Sequence, residues 1–209
     1  MTRKNVPDWL RWARELQAIS QTGLHYSSNE HDTANYDRIR TIAAEMTSSA
    51  TGLAEDDVLG VFRVHPAYAT AKIDVRGAVI DQGRILLVRE RVDGCWSMPG
   101  GWADVGEIPS DMVAREVREE SGYEVEVEKV LGVFDANRSP VHLEFFHAYK
   151  ILFLCRLTGG APRPSDETSE VGFFDFDELP PLSLHRTNER HLAEVRAHLA
   201  DPDRPAAFD

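Results

Sequence analysis

The first part of the chain repeats apolar and polar positions with the period of an α-helix. Between Pro7 and Gly23 the apolar residues recur at helical spacing: Trp9, Trp12, Ala13, Leu16 and Ile19. Proline is favoured in the first turn of a helix, and glycine is typical of the position that follows the last turn. The pattern therefore predicts a first helix that carries this stripe on one face and ends at Gly23.

A second amphipathic helix is predicted from Asp32 or Thr33 to just before Gly52, and a short helical turn over residues 54–59. Two or three short helices bury too little apolar surface to form a core of their own. We therefore expect this region to pack either on the following domain or on another subunit. Its tryptophans are compatible with both arrangements.

From Lys72 onwards the pattern changes to that of β-strands. Strands are predicted at 73–81 and 84–89, separated by the hairpin sequence Asp81-Gln82-Gly83, and again at 125–135, 145–157 and 171–176, with a loop over 159–169. Helices are predicted at 109–121, closed by Gly122, and at 188–199. Without a regular strand–helix alternation, this order predicts an α/β fold in which a mixed sheet lies between helices. We assign 1–66 to a helical N-terminal region and 67–209 to the second domain.

Net charge, apolar runs and cysteine content limit which molecules the protein is expected to bind. The 209 residues carry a formal net charge of −12, which disfavours binding to DNA or long RNA but permits a nucleotide-sized ligand in one pocket. No run approaches the ~20 apolar residues that span a membrane. The two cysteines, Cys95 and Cys155, are far apart and form no metal-binding pair. Together these features indicate a cytoplasmic protein with no membrane partner.

Three carboxylates lie at helical spacing within the predicted helix 109–121. Glu116, Glu119 and Glu120 stand at i, i+3 and i+4, so their side chains emerge from one face about 5–6 Å apart. Like charges this close destabilise a helix unless a cation neutralises them. Oxygen ligands favour a hard divalent ion, so the pattern predicts Mg²⁺ or Mn²⁺ rather than zinc.

The segment that contains these acids resembles the Nudix box. That motif combines Gly, five residues, Glu, seven residues, Arg-Glu, an aliphatic residue, one residue, Glu-Glu, one residue and Gly. Every one of these positions is filled here: Gly101, Glu107, Arg115, Glu116, Val117, Glu119, Glu120 and Gly122. Tyr123 stands where the motif has an aliphatic residue, a change that leaves the acids intact. The resemblance implies a Nudix-type α/β/α sandwich and hydrolysis of a phosphoanhydride.

The resemblance also implies roles for individual residues. Glu116, Glu119 and Glu120, with the backbone carbonyl of Gly100, would hold the metal ions. Glu107 would steady the site or join it through water, and Arg115 would orient the acids by pairing with Glu107. Glu119 is thus counted with both the metal-binding and the catalytic residues.

The base that activates water comes, in many Nudix enzymes, from a loop beyond the box. Glu167 is our first candidate for base or additional ligand and Glu170 our second, against the alternative that this loop is merely solvated. For substrate contact we consider Arg76, Arg89 and Trp102, although arginines on strands are often surface residues and Trp102 is equally suited to covering the edge of the core.

Similarity to one bacterial Nudix subfamily extends over nearly the whole chain, on the segments 12–24, 68–76, 99–107 and 171–181. It implies a metal-dependent pyrophosphatase that splits a nucleoside diphosphate linked to a moiety X, such as ADP-ribose, CDP-choline or a UDP-sugar. It further implies a homodimer in which the N-terminal helices contribute to the substrate site. Three alternatives remain open: a nucleoside triphosphate hydrolase, a short-RNA or cap hydrolase, and a ligand sensor without catalysis.

Overall fold

The computed structural model describes residues 7–64, 67–104, 106–138 and 146–209, with only the backbone at Asn137. The described residues up to Ala71, with Phe146 and His147, form one compact unit. The other described residues from Lys72 onwards form a second compact unit. Among the described helices none is long and apolar enough to cross a membrane. The assignment of 1–66 and 67–209 as separate domains stays a prediction.

Where it is described, the first unit forms three helices, α1 (Asp8–Tyr26), α2 (Glu30–Thr51) and α3 (Glu55–Arg63). The second helix starts earlier than predicted because the side chain of Asn29 caps it, accepting a hydrogen bond from the backbone N–H of Asp32. It ends as predicted at Gly52, whose φ of 78° suits glycine. The predicted turn over 54–59 is a longer helix, α3, whose Val58, Leu59 and Phe62 pack with Ala43 and Ala44 of α2.

The prediction for the end of the first helix was wrong. The helix continues through Gly23, because the missing side chain there makes room for the ring of Tyr36; a Cβ atom would lie 2.3 Å from Tyr36 Cδ1. Within this unit the buried residues of α1 are Leu10, Ala13, Gln17 and Ser20, whereas Trp12 and Ile19 of the apolar stripe are exposed. The buried residues are mostly small or polar, and the Ser20 hydroxyl donates to the carbonyl of Tyr36. Close contact between α1 and α2 therefore selects this face over the more hydrophobic one.

The described residues of the second unit form seven strands and two α-helices. In chain order they are β1 (Lys72–Asp81), β2 (Arg84–Glu90), β3 (Trp96–Ser97), α4 (Pro109–Ser121), β4 (Tyr123–Asp135), a 3₁₀ turn (Ala136–Arg138), β5 (Ala148–Gly160), β6 (Thr168–Phe174), α5 (Glu189–Ala200) and β7 (Ala207–Phe208). The strand order is β3-β2-β1-β5-β4-β7, with β6 also paired to β2. Strand β1 runs parallel to β5 and antiparallel to β2, so the sheet is mixed as predicted.

Side chains that alternate along the strands supply two separate apolar cores. Ala78 of β1, with Ile85 and Leu87 of β2, packs with Leu192 and Val195 of α5. The intervening residues Val75, Val79 and Leu86 pack with Met112, Val113 and Val117 of α4. Since successive residues of a strand point to opposite faces, α4 and α5 cover opposite faces of the sheet. The predicted α/β/α sandwich with a mixed sheet and a helical N-terminal region is confirmed.

Several predicted strand limits were wrong. The segment predicted as a loop over 159–169 is partly sheet, since β5 extends to Gly160 and β6 begins at Thr168. We predicted a loop because of the glycines in this segment. In the structure Gly160 instead allows two strands to approach closely, since a Cβ atom there would lie 2.4 Å from the carbonyl oxygen of Gly122. Strand β5 begins at Ala148; residue 145, where we predicted its start, lies outside the described residues. Strand β6 ends at Phe174 and not at 176.

Candidate active site

The glycine turn before α4 is held against the edge of β1. Val75 donates its N–H to the carbonyl of Gly101, and Gly77 donates to that of Pro99, both at 2.9 Å. Gly100 lies between them with a φ of +144°, and a Cβ atom at this position would come within 2.0 Å of the Val75 carbonyl oxygen. Only glycine fits such a close approach of two backbones, so the turn has a fixed place beside the sheet.

Helix α4 has the limits that the sequence predicts, from Pro109 in its first turn to Ser121, with Gly122 at φ 78° after its end. Its acids differ in environment. Glu120 is 6% exposed and accepts a 2.9 Å hydrogen bond from the backbone N–H of Gly100, which joins the end of the helix to the glycine turn. The Glu116 side chain is 14% exposed and that of Glu119 is 52% exposed.

Arg115 connects the loop before the helix to the acids on it. Its guanidinium donates two hydrogen bonds of 2.8 Å to the two carboxylate oxygens of Glu107 and a third of 2.8 Å to Glu119. It also lies 3.1 Å from Glu116. The paired arginine lowers the pKa of Glu107. The predicted pair of Arg115 and Glu107 is thus present in the structure, while its role in orienting the acids stays a prediction.

A cavity of about 320 Å³ opens beside α4 and the glycine turn. Backbone and side-chain groups from several elements line it: Asp74, Arg76, Glu90, Gly100, Gly101, Trp102, Glu116, Glu120, Ala136, Lys150, Glu167, His185 and Arg186. We call Glu90, Glu116 and Glu120 the acidic cluster, and Arg76, Lys150 and Arg186 the basic cluster. A single cavity therefore presents both signs of charge.

The carboxylates of the acidic cluster destabilise one another's charge. Burial raises the pKa of Glu120 to about 8, and the negative charges of Glu90 and Glu116 add to this effect, although Arg76 and the Gly100 N–H act against it. Burial likewise raises the pKa of Glu116, and Glu119 contributes in the same direction. Carboxylates in this condition would be stabilised by a cation placed among them.

The basic cluster is organised around a buried aspartate. Arg76 donates to both oxygens of Asp74, at 2.8 and 3.1 Å, and to the carbonyl of Met98 at 3.2 Å. Lys150 of β5 donates to Asp74 at 3.0 Å and to the carbonyl of His185 at 3.2 Å. Arg186 lies 3.3 Å from Glu90, which also accepts a hydrogen bond from Ser97. Burial lowers the pKa of Lys150 to about 8, with the neighbouring Arg76 adding to the shift and Asp74 opposing it.

Glu167 reaches the cavity from the loop that leads into β6. Its carbonyl accepts a hydrogen bond from the N–H of Arg91 at 2.9 Å, and its N–H donates to the hydroxyl of Ser165 at 3.1 Å. The next residue, Thr168, donates its hydroxyl to the carbonyl of Glu120 at 2.7 Å. The loop is therefore tied both to β2 and to the end of α4, so Glu167 is held near the acidic cluster.

The structure brings together only part of the predicted site. Six predicted residues line the cavity: Arg76, Gly100, Trp102, Glu116, Glu120 and Glu167. Glu107, Arg115 and Glu119 are not among the described residues that line it, and instead form the arginine network outside. Arg89 is also outside that set. Its guanidinium donates hydrogen bonds to the carbonyl of Gly94 at 2.8 Å and to the carboxylate of Glu170 at 2.6 Å. Arg89 is therefore paired with Glu170, the second candidate base.

Sequence reasoning missed five polar residues of the cavity: Asp74, Glu90, Lys150, His185 and Arg186. A signal was present for two of them, because Asp74 and Lys150 are charged residues inside otherwise apolar strands. Buried charges in such positions are rare unless they are paired or functional. Their partnership across β1 and β5 depends on the parallel register, in which Asp74 faces Lys150 directly.

The donor set suits a hard divalent cation. As the side chains stand, no three Asp, Glu, His or Cys residues within the described part of the chain converge into a metal-binding group. However, Glu116 and Glu120 line one cavity with buried, mutually repelling carboxylates, and Gly101 lies so close to Glu116 that a Cβ atom would be 3.2 Å from its Oε2. The carboxylates of Glu116 and Glu120 and the carbonyl of Gly100 are oxygen donors, the type that Mg²⁺ and Mn²⁺ prefer.

Comparison with known proteins agrees with this site. A family model described as a NUDIX domain matches residues 72–195, and one described as a UDP-X-like, N-terminal oligomerisation domain matches residues 7–62. A Bacillus subtilis (strain 168) protein, YjhB, provisionally named as an ADP-ribose pyrophosphatase, is 36% identical over 201 residues, which cover 96% of this chain and 97% of the relative.

Two solved structures are similar as well. A crystal structure of a UDP-X diphosphatase matches with a TM-score of 0.62 at 31% identity, covering 97% of this chain and 98% of the other. The crystal structure of an ADP-ribose pyrophosphatase from Streptococcus suis 89-1591 matches with a TM-score of 0.61 at 39% identity, covering 67% of this chain and all of the other. With an intact box, a cavity beside it and relatives that match over nearly their full length, the chain belongs to the Nudix hydrolase family.

Proposed function

We propose that this Nudix hydrolase is a Mg²⁺- or Mn²⁺-dependent pyrophosphatase that cleaves a nucleoside diphosphate linked to another moiety X. One observation carries the proposal: a single cavity contains the acidic cluster, suited to cations, and the basic cluster, suited to phosphate oxygens. Water adds across the anhydride. A new P–O bond forms at one phosphorus, the bridging P–O bond breaks, and nucleoside monophosphate and phospho-X are released.

The metal ligands in this proposal are Glu116, Glu119 and Glu120, with the carbonyl of Gly100. Bound divalent ions would neutralise phosphate charge and lower the pKa of a coordinated water. Glu120 has its place fixed by the Gly100 N–H. Arg115 donates to one carboxylate oxygen of Glu119 and to both oxygens of Glu107, and the second oxygen of Glu119 would bind the metal.

Glu167 is the residue that we propose as base. It lies in the cavity with the acidic cluster, and its loop is anchored on both sides by backbone hydrogen bonds. A carboxylate held in this way accepts the proton of the attacking water while the new P–O bond forms. We do not propose Glu170 for this role because Arg89 binds it.

Arg76 and Trp102 remain our substrate-binding residues. Arg76 reaches the cavity from the centre of the sheet, with its guanidinium orientated by Asp74. Trp102 is 48% exposed, so its ring is accessible to a nucleotide base. The Lys72 ammonium lies 5.8 Å from the centre of the same ring. Arg89, outside the cavity and paired with Glu170, is no longer proposed for substrate contact.

The substrate class rests on the relatives and on charge. The similar proteins are named for ADP-ribose and UDP-X compounds. A diphosphate with both ends esterified carries two negative charges, fewer than a free triphosphate. A cavity that already holds several carboxylates accepts the less charged ligand more readily. The net charge of −12 acts against long RNA in the same way.

We also propose that the protein acts as a homodimer in the cytoplasm. Helix α1 exposes Trp12, Ile19 and Tyr26, seven residues apart and hence on one side, with 47%, 47% and 69% of their surface accessible. The family model matching this region is described as an oligomerisation domain. Both cysteines are free, which suits a reducing compartment.

The first experiment is turnover against ADP-ribose, CDP-choline, UDP-sugars, nucleoside triphosphates and a short RNA, with Mg²⁺ or Mn²⁺. Release of phosphate after addition of a phosphatase measures cleavage of the diphosphates, and chromatography measures the other substrates. We expect one nucleoside diphosphate-X compound to be preferred. Activity on triphosphates or RNA alone would contradict the proposed substrate class.

Two variants test the chemistry. Glu120→Gln keeps the acceptor for the Gly100 N–H but removes the charge, so we expect turnover to fall by at least about 100-fold while the fold is retained. Glu178→Gln, at an exposed position outside the cavity, is the matched control and should be fully active. Equal turnover of Glu120→Gln and the control would exclude the metal site that we propose, and no turnover of any compound by the natural chain would favour a sensor.

A further inference from the structure

We propose that Lys150, with Arg76 and Arg186, forms a phosphate subsite that binds the phosphate leaving the cleaved anhydride. The inference rests on the proposed function, but it assigns a role to a residue that lies outside the Nudix box. Lys150 lies on β5, in the middle of the sheet and far in sequence from the box, and it reaches the same cavity as the acidic cluster.

The first argument is the burial of Lys150. Only 2% of its side chain is exposed, between Ala148 and Leu152, which point to the same face of β5 and are fully buried. Placing an ammonium group there is costly, and an apolar side chain of similar volume would usually serve a structural purpose as well or better. Asp74 gives this charge a partner, and the position of the ammonium at the cavity is what points to a further role.

The second argument is that two cations share one buried carboxylate. Asp74 is already matched by the two hydrogen bonds from Arg76, so the ammonium of Lys150 brings a second cation to one carboxylate. Two of its three N–H groups have described partners, Asp74 and the carbonyl of His185. Burial lowers the pKa of Lys150 to about 8, Arg76 and Arg186 add to this shift, and Asp74 opposes it. A phosphate oxygen near the third N–H would give that donor an anionic partner.

The third argument is that the surrounding backbone holds the subsite in place before any ligand binds. The segment that carries His185 and Arg186 is fixed by a hydrogen bond from Ser183 N–H to the Trp96 carbonyl at 2.8 Å. The hydroxyl of Thr187 accepts a further bond from the N–H of Met98 at 2.9 Å. Preorganised donors in a cavity stabilise developing charge without reorganising at the moment of reaction.

The chemistry of the cleavage gives this subsite its role. When water attacks one phosphorus and the bridging P–O bond breaks, the bridging oxygen stays with the other phosphorus. That phosphate changes from a diester-like group with one negative charge to a monoester with two. Cations that contact this group bind it more tightly as the bond breaks than before, which accelerates the step.

The test measures binding of inorganic phosphate, which the enzyme does not cleave, to the Mg²⁺-loaded full chain by calorimetry. We expect Lys150→Met to weaken this affinity by about 10- to 100-fold, the loss typical of one charged hydrogen bond. Lys129→Met, which removes a lysine from the neighbouring strand β4 outside the cavity, should bind like the natural chain. Equal affinity of the Lys150 and Lys129 variants, or no phosphate binding by the natural chain, would overturn the proposal.

If Lys150→Met does not fold, the double variant Asp74→Asn with Lys150→Met removes one charge of each sign and takes its place in the same comparison. Failure of the proposed function remains distinguishable. Phosphate binding that depends on Lys150 without turnover of any nucleoside diphosphate-X compound would contradict the function but support the subsite. Turnover of such a compound, with phosphate affinity unchanged by Lys150→Met, would support the proposed function but contradict the subsite.

Discussion

Arg115 and Glu107 join the loop before α4 to the helix by two parallel hydrogen bonds, each 2.8 Å long. The same guanidinium donates to Glu119 at 2.8 Å and lies 3.1 Å from Glu116. One planar cation thus contacts three carboxylates at the edge of the site. A bidentate contact of this kind requires arginine, because a lysine ammonium cannot present two parallel donors.

For Arg115→Lys we therefore expect kcat to fall by about 10- to 100-fold, as is usual when a residue supporting metal ligands is lost. The concentration of Mg²⁺ needed for half-maximal activity should rise, because Glu116 and Glu119 are no longer held. The melting temperature should change little, since exposed ion pairs contribute little stability. Arg118→Lys, an exposed position of the same helix, is the control. An unchanged Mg²⁺ requirement would show that Arg115 does not position the acids.

Gly100→Ala tests the place of the glycine turn. The added methyl group would lie 2.0 Å from the Val75 carbonyl oxygen, at a φ of +144° that other residues avoid. The backbone strain alone costs about 1–3 kcal/mol, and the collision adds to it. We expect a clear loss of stability in urea denaturation. Gly60→Ala in α3, where nothing lies within 4 Å, should instead stabilise the protein slightly, by about 0.5–1 kcal/mol. Equal stability of Gly100→Ala and the natural chain would contradict the geometry.

His191 makes the stability of the second unit sensitive to acid. Burial, supported by the charge of Lys150, lowers its pKa to about 3 in the folded protein. Between the unfolded value of about 6.5 and that pKa, the unfolded chain binds a proton that the folded chain does not. The free energy of unfolding should therefore decrease as the pH falls through this window, by up to about 1.4 kcal/mol per pH unit from this residue.

His191→Gln should reduce that dependence between pH 6.5 and 5. Glutamine at this position keeps the capping box with Asn188, since it also accepts a hydrogen bond from the backbone N–H. The measurement is urea denaturation at several pH values for both proteins, with His31→Gln, at an exposed position, as the control. Parallel pH profiles for the natural chain and His191→Gln would refute the prediction.

The exposed stripe of α1 predicts how to disrupt the proposed dimer. Ile19→Asp places a charge at its middle, and burying an unpaired carboxylate in an apolar interface is strongly unfavourable. We expect a dimer for the natural chain and a monomer for Ile19→Asp in analytical ultracentrifugation. Val92→Asp, which changes an equally apolar residue with 76% exposure in the second unit, should remain a dimer. A dimeric Ile19→Asp, or a monomeric natural chain, would contradict the assignment.

The sequence pattern correctly predicted the limits of elements that begin or end at a residue typical of that position, such as proline or glycine. Helix α4 runs over the predicted residues because Pro109 suits its first turn and Gly122 its end. Strands β1 and β2 differ from prediction by one residue each. The prediction failed where a glycine serves packing rather than termination, as at Gly23 under the Tyr36 ring and Gly160 against Gly122. In those places the reason for the glycine lies in another part of the chain.

By itself the sequence determined the family, the α/β/α architecture and the acids of the box, because their spacing along one helix is a local property. Only the tertiary structure decided which acids share a cavity, and which cations join them. Glu116 and Glu120 line it, whereas Glu119 bonds to Arg115. Asp74 meets Lys150 because β1 and β5 pair in parallel register across 76 positions of chain. Such contacts depend on strand pairing between distant segments, which periodicity does not encode.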